Sequence, residues 1–195
     1  WVPDDFWREW RSAIKRHKPD ALTIAETWFD ASKYFLGDTF DSTMNYIFRN
    51  TVLDYAKGGD AAALYRNLEL LREVYPPQAL YALMNLLSSH DVARSLHVLG
   101  DQGGHTAATK AGDAKRRLRL AFFFQMTYPG APAIYYGDEV GLVGPMAYAG
   151  GKWEDDPYNR QPFPWLDESG TPFYTHLQTQ ESQDALYNYY AALTS

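Results

Sequence analysis

The sequence predicts an α/β chain forming the second half of a (β/α)8 barrel. Three observations lead there. Short apolar runs alternate with segments of helical period. The runs are nearly continuous, the pattern of parallel strands joined by right-handed crossovers. Polar residues with useful chemistry collect where the runs end, as they do at the C-terminal face of such a barrel. Four runs occur in 195 residues, whereas an intact barrel takes about 250. Residues 1–195 therefore read as half of one domain. A small open α/β sheet competes, but its Gly-rich GxGxxG turn is absent from the chain.

The elements follow in order. Residues 4–18 place Phe6, Trp7, Trp10 and Ile14 near one helical face, with Asp4 or Asp5 as cap, and Pro19-Asp20 stops the helix. Ala21–Ala25 is a first buried strand ending at Glu26. Asp41–Ile47 reads as a second strand. Asp60 caps a helix carrying Leu64, Leu68, Leu71 and Tyr75, which Pro76-Pro77 ends. Tyr81–Leu87 is a third strand leading to Ser88-Ser89-His90-Asp91. After a polar loop with Gly103-Gly104, a helix from about 111 to 127 aligns Leu118, Ala121, Phe122 and Gln125. Ala133–Tyr136 is a fourth strand, a Gly/Pro/Trp-rich loop runs to about 180, and Ser182 caps a last helix with Leu186, Tyr189, Tyr190 and Leu193.

Composition narrows the function classes. With 46% hydrophobic and 22% charged residues the chain is globular rather than disordered. A net charge of −6 argues against nonspecific binding to nucleic acid or anionic membrane. No run approaches the roughly 18 apolar residues of a membrane span. Without cysteine there is no disulfide, zinc-thiolate site or Cys nucleophile. The five histidines, His17, His90, His97, His105 and His176, show no metal-ligand spacing. Aromatics reach 16%, which suits stacking on sugar rings and equally suits a large core. Lys115, Arg116, Arg117 and Arg119 read as the solvated face of a helix. The chain starts at Trp1 without Met, and the expectation is that an upstream part precedes it.

Three strand ends carry candidate chemistry. Glu26 precedes Thr27 and Trp28. A carboxyl beside an indole in a half-dry pocket titrates high and can donate a proton to a leaving oxygen; a solvated or Arg-paired Glu fits the tripeptide as well. Asp91 can hold charge against a developing cation, His90 can donate to a hydroxyl, and Arg94 can pair with a carboxylate; a loop Asp capping a turn is the plain alternative. Tyr135-Tyr136-Gly137-Asp138-Glu139, after Pro129-Gly130, reads as a rigid entry to a buried strand, with both acids supporting loops.

Together these segments resemble the alpha-amylase family of glycoside hydrolases (glycoside hydrolase family 13), above all its neopullulanase, cyclomaltodextrinase and amylopullulanase members. Ala25-Glu26-Thr27-Trp28 matches the family's G-E-x-W, and Gly37-Asp38-Thr39-Phe40-Asp41-Ser42-Thr43-Met44-Asn45-Tyr46 its G-D-x-F-D-x-x-M-N-Y. Ser89-His90-Asp91 matches S-H-D, Gly130 to Glu139 matches G-x-P-x-I-Y-Y-G-D-E, and Asp156-Pro157-Tyr158-Asn159-Arg160, running on to Trp165, matches D-P-x-x-R…W. The matches keep family order over nearly the whole chain. Ala25 stands where Gly is usual, Phe29 where His is frequent and Ser89 where Asn is commoner, differences that bear on subgroup and substrate preference.

The resemblance implies a retaining hydrolase or transglycosylase of α-glucosidic bonds in starch-like or maltooligosaccharide substrates. It makes Glu26 the general acid/base and Asp91 the transition-state stabiliser, with His90, Trp28, Arg94 and Arg160 binding substrate. The family nucleophile, an Asp in a motif like F-R-x-D-x-x-x-E on the fourth strand, has no counterpart here. The chain accordingly resembles strand units five to eight, with the first half missing and no activity alone. The resemblance implies no cofactor in this segment; the family's calcium ligands come from absent regions. It leaves oligomeric state and localisation open. The alternative from another class is a non-catalytic carbohydrate-binding or scaffold protein derived from the same barrel.

Overall fold

The computed structural model describes residues 2–100, 108–144, 147–149, 152–154, 159–174 and 184–195. The chain divides into two compact units: residues 1–55, 59–86 and 128–133, and residues 56–58, 87–127 and 134–195.

The first unit begins with α1 (Asp4–His17). Pro3 is its N-cap and no side chain caps it; Asp4 and Asp5 instead place negative charge in the first turn, where the helix dipole favours it. Trp7 and Trp10 pack on Phe40, with ring centroids 5.2 and 5.6 Å away. The helix is tied down by Asp41, which pairs with Arg11 at 2.6 Å and Lys15 at 3.0 Å.

Four short parallel strands follow in chain order. β1 (Ile24–Ala25) pairs with β2 (Ser42–Thr43), and β3 (Met84–Leu86) with β4 (Ala131–Ala133). A parallel bridge between Met44 and Met84 links β2 to β3. This sequential parallel order bears out the α/β class.

The strands are shorter than the sequence predicts. The second ends early because the Asn45 side chain accepts from Phe48 N at 3.0 Å, capping α2 (Tyr46–Ala56), a helix the apolar run concealed. The third starts late because Pro77 opens a further helix, α4 (Pro77–Ala82), after α3 (Ala61–Val74). Asp60 does cap α3, accepting from Ala62 N at 3.0 Å. The fourth strand is paired two to three residues earlier than expected. Gly130 makes this possible: at φ +134° it brings the chain so close to β3 that a Cβ there would sit 2.8 Å from Leu83 O. Phe48, Val52, Leu53, Leu71 and Leu83 are fully buried in this unit, and Tyr75 OH accepts from Ala31 N at 2.9 Å.

The second unit is built on α6 (Ala108–Thr127), which packs on α5 (Ser95–Val98) and α7 (Asp184–Thr194). The predicted face is buried: Leu118, Ala121, Phe122 and Gln125 are at most 2% exposed. Phe122 stacks on Tyr190 with centroids 3.6 Å apart. The basic cluster on α6 is not simply solvated. Arg117 donates to Leu99 O at 3.1 Å and Arg119 to Ala185 O at 3.3 Å, joining helix to neighbour. The expected long loop contains an antiparallel hairpin, β5 (Ala147–Ala149) with β6 (Lys152–Glu154). Gly103-Gly104 and the Ser182 cap lie outside the described residues. Among the described residues, no helix is long and apolar enough to cross a membrane.

Candidate active site

At the end of β1 the side chains alternate. Thr23, Ala25 and Thr27 are buried, while Ile24, Glu26 and Trp28 are exposed. Thr43 Oγ1 donates to Ala25 O at 2.9 Å and shares a 2.7 Å hydroxyl–hydroxyl hydrogen bond with Thr27 Oγ1. This pair locks the backbone on both sides of Glu26. The Trp28 indole lies on the ring of buried Tyr46, with centroids 3.9 Å apart and planes 8° from parallel. Trp28 stays 48% exposed. The half-dry pocket expected around the carboxyl is not what the structure shows, since Glu26 is exposed.

In the second unit the chain turns sharply at Ser89–Val92, which form an antiparallel bridge, and Asp91 N donates to Ser89 Oγ at 3.2 Å. Two of the predicted residues, His90 and Arg160, meet at Asp91. Its Oδ2 is 3.3 Å from His90 Nε2 and its Oδ1 3.3 Å from Arg160 Nη2. Arg160 Nε also donates to His90 O at 3.2 Å. These contacts are long and part-exposed, so they orient the carboxylate more than they stabilise the fold.

Arg94, expected at the substrate, is a correction. It is fully buried, donates through Nη1 to Tyr136 O at 2.7 Å and meets Asp138 Oδ1 at 3.3 Å. Its guanidinium lies over the rings of Tyr135 and Tyr136 at 4.6 and 4.9 Å. No sugar reaches a side chain in that position. Ser95 Oγ donates to Asp138 Oδ2 at 3.2 Å. Burial pushes the Asp138 carboxyl up to about 6, outweighing Arg94 and the serine hydroxyls. Asp138 thus has the supporting role its sequence context suggested.

A cavity of about 490 Å³ in the first unit is lined by Arg11, Lys15, Leu22, Phe35, Leu36 and Asp41 among others. It lies before β1 and β2, at the strand ends opposite Glu26, and holds none of the candidate residues. Among the described residues no group of three or more His, Asp or Glu could hold a metal ion.

The family model described as the alpha amylase catalytic domain matches residues 3–193. This chain belongs to the alpha-amylase catalytic-domain family. Among curated relatives it is 44% identical, over 91% of its length, to an amylopullulanase of Thermoanaerobacter thermohydrosulfuricus, and 42% identical, over 86%, to neopullulanase 2 of Thermoactinomyces vulgaris. It spans only 12% and 27% of those two proteins. Among solved structures, it covers 37% of a cyclic alpha-maltosyl-(1→6)-maltose hydrolase from Arthrobacter globiformis, with 98% of this chain matched at 31% identity and a TM-score of 0.75. A cyclomaltodextrinase aligns over 98% of this chain and 28% of its own, at 36% identity and a TM-score of 0.74.

The alpha-amylase motifs pointed to every residue of the His90–Asp91–Arg160 group but passed over Asn159. That residue is fully buried and donates to His90 O at 2.8 Å and Val92 O at 3.0 Å. The only sequence signal was its place beside Arg160 in the matched loop.

Proposed function

We propose that this chain is the C-terminal half, strand units five to eight, of the catalytic barrel of a retaining α-glucan hydrolase or transglycosylase. The observation that carries the reading is the Asp91 carboxylate, set at a strand-end turn and flanked by His90 and Arg160. Its position in the sequence is that of the family's stabilising Asp. The relatives' names, amylopullulanase and cyclomaltodextrinase, favour starch-like or maltooligosaccharide substrates.

In the reaction, Glu26 protonates the glycosidic oxygen as an Asp from the missing F-R-x-D segment attacks the anomeric carbon. Glu26 then takes the proton of a water or acceptor hydroxyl whose oxygen attacks the anomeric carbon and expels the Asp carboxylate, so the configuration is retained. Asp91 stabilises the oxocarbenium-like charge and binds hydroxyls, with His90 and Arg160 at its rim. Trp28 offers the open part of its indole to a sugar ring.

Lacking the nucleophile, the chain alone turns over no maltohexaose or pullulan. Supplied with a first half-barrel that carries F-R-x-D, it regains hydrolysis, and Glu26→Gln or Asp91→Asn removes at least 10²–10³-fold of it. Hydrolysis by the chain alone that is lost in Glu26→Gln overturns the inactivity; restored hydrolysis indifferent to both substitutions overturns the assigned roles.

A further inference from the structure

We propose that Asn159 is a positioning residue for Asp91: it clamps the two carbonyls that flank the carboxylate-bearing residue. The inference rests on the role proposed for Asp91. Asn159 is fully buried, and one side-chain nitrogen spans the turn, donating to His90 O at 2.8 Å and Val92 O at 3.0 Å. Both protons of that nitrogen are thereby used, one on each side of Asp91. Asn159 is itself held, since its backbone carbonyl accepts from Tyr135 OH at 3.2 Å. The next residue, Arg160, reaches His90 O and Asp91 Oδ1. One loop therefore controls both the backbone and the carboxylate of the turn. The Ser89–Val92 bridge and the Asp91 N to Ser89 Oγ bond hold the turn from within, and Asn159 holds it from a loop distant in sequence. Buried amide-to-carbonyl bonds of this kind hold a carboxylate-bearing turn within the tolerance catalysis requires.

Asn159→Asp isolates this function. It keeps the shape of the side chain but replaces the donor with an acceptor that both carbonyls repel. Hydrogen exchange at the amides of His90, Asp91 and Val92 is measured relative to Ala121 and Phe122, together with maltotetraose affinity from amide shifts of the 195-residue chain. Asn159→Asp is expected to speed exchange at the three amides at least 10-fold relative to the α6 reference and to weaken maltotetraose at least 10-fold. Leu186→Ala, which opens a core cavity in the same unit, leaves the relative exchange and the affinity as they were. Asp91→Asn weakens maltotetraose without changing the exchange. Unchanged relative exchange in Asn159→Asp overturns the clamp whatever happens to the sugar. Faster exchange with unchanged affinity overturns its positioning role. Maltotetraose that ignores Asp91→Asn overturns the role proposed for Asp91 instead, leaving Asn159 a structural clamp only.

Discussion

Asn45 donates its side-chain amide to Asn85 Oδ1 at 2.8 Å, inside the parallel strands of the first unit. Both residues are at most 2% exposed. Asn45 also caps α2, and Asn85 Nδ2 donates to Pro129 O at 3.0 Å, so one amide pair joins the start of α2, β3 and the turn into β4. Asn45→Ala removes a cap worth about 1 kcal/mol and takes a donor from the buried Asn85 amide at about 1–3 kcal/mol. A urea midpoint lowered by the equivalent of about 2–4 kcal/mol is expected, with the slope unchanged. A neutral result would mean that the pair contributes nothing to the fold.

Gly130 and Gly170 both have positive φ, +134° and +80°, but differ in their surroundings. A Cβ at Gly130 meets Leu83 O and the Asn85 amide, whereas nothing lies within 4 Å of one at Gly170. Gly170→Ala carries only the conformational cost of about 1–2 kcal/mol. Gly130→Ala adds a backbone collision, so its thermal midpoint falls further. Equal losses in the two variants would show that the close approach to β3 is unimportant.

Asp138 sets a pH dependence. Its carboxyl is pushed up to about 6 in the folded chain by burial, against about 3.9 in an unfolded one. Between pH 4 and 6 the folded chain holds a proton that the unfolded chain has released. This contribution is therefore complete below pH 4 and lost as pH rises through 6, on the order of 3 kcal/mol. Asp138→Asn is uncharged at every pH and so removes that slope: its stability relative to the parent chain rises between pH 4 and pH 7, while Arg94 keeps its bond to Tyr136 O. Urea midpoints of both proteins at pH 4, 5, 6 and 7 check the sign.

Asp41 acts in the opposite direction. Burial pushes its carboxyl up, but hydrogen bonds from Arg11, Thr23 and Lys15 outweigh this and hold it well below the usual range. Its contribution is present above pH 4 and lost as pH falls toward the folded value. Asp41→Asn should flatten the fall of stability between pH 4 and pH 2, and should loosen α1 first, seen as faster amide exchange at Trp10–Ile14.

How much of this was legible depends on whether the determining interaction is local. The run up to Glu26 reads as a continuous buried strand, yet Leu22 and Ile24 are exposed while Thr23, Ala25 and Thr27 are buried, because a strand's period is two and one face alone meets the core here. The buried stripe of α6, by contrast, follows directly from a period of 3.6. Strand length is different. In Asp41–Ile47 the apolar pattern conceals the Asn45 cap, whose second partner, Asn85, lies 40 residues on. Arg94 sits three residues from Asp91 and reads as a substrate-binding residue, but the partner that settles its place is Asp138, 44 residues away.

The motifs themselves, in order at successive strand ends, determined the family and the candidate acids, because reaction chemistry restricts which residue types can stand there. Tertiary structure alone decided which of them share an environment. It put Arg94 inside and Glu26 outside, and it brought Asn159 under the Asp91 turn. The reason is that burial and hydrogen-bond partnership depend on what the chain returns to that point, and the return comes from segments far away in sequence.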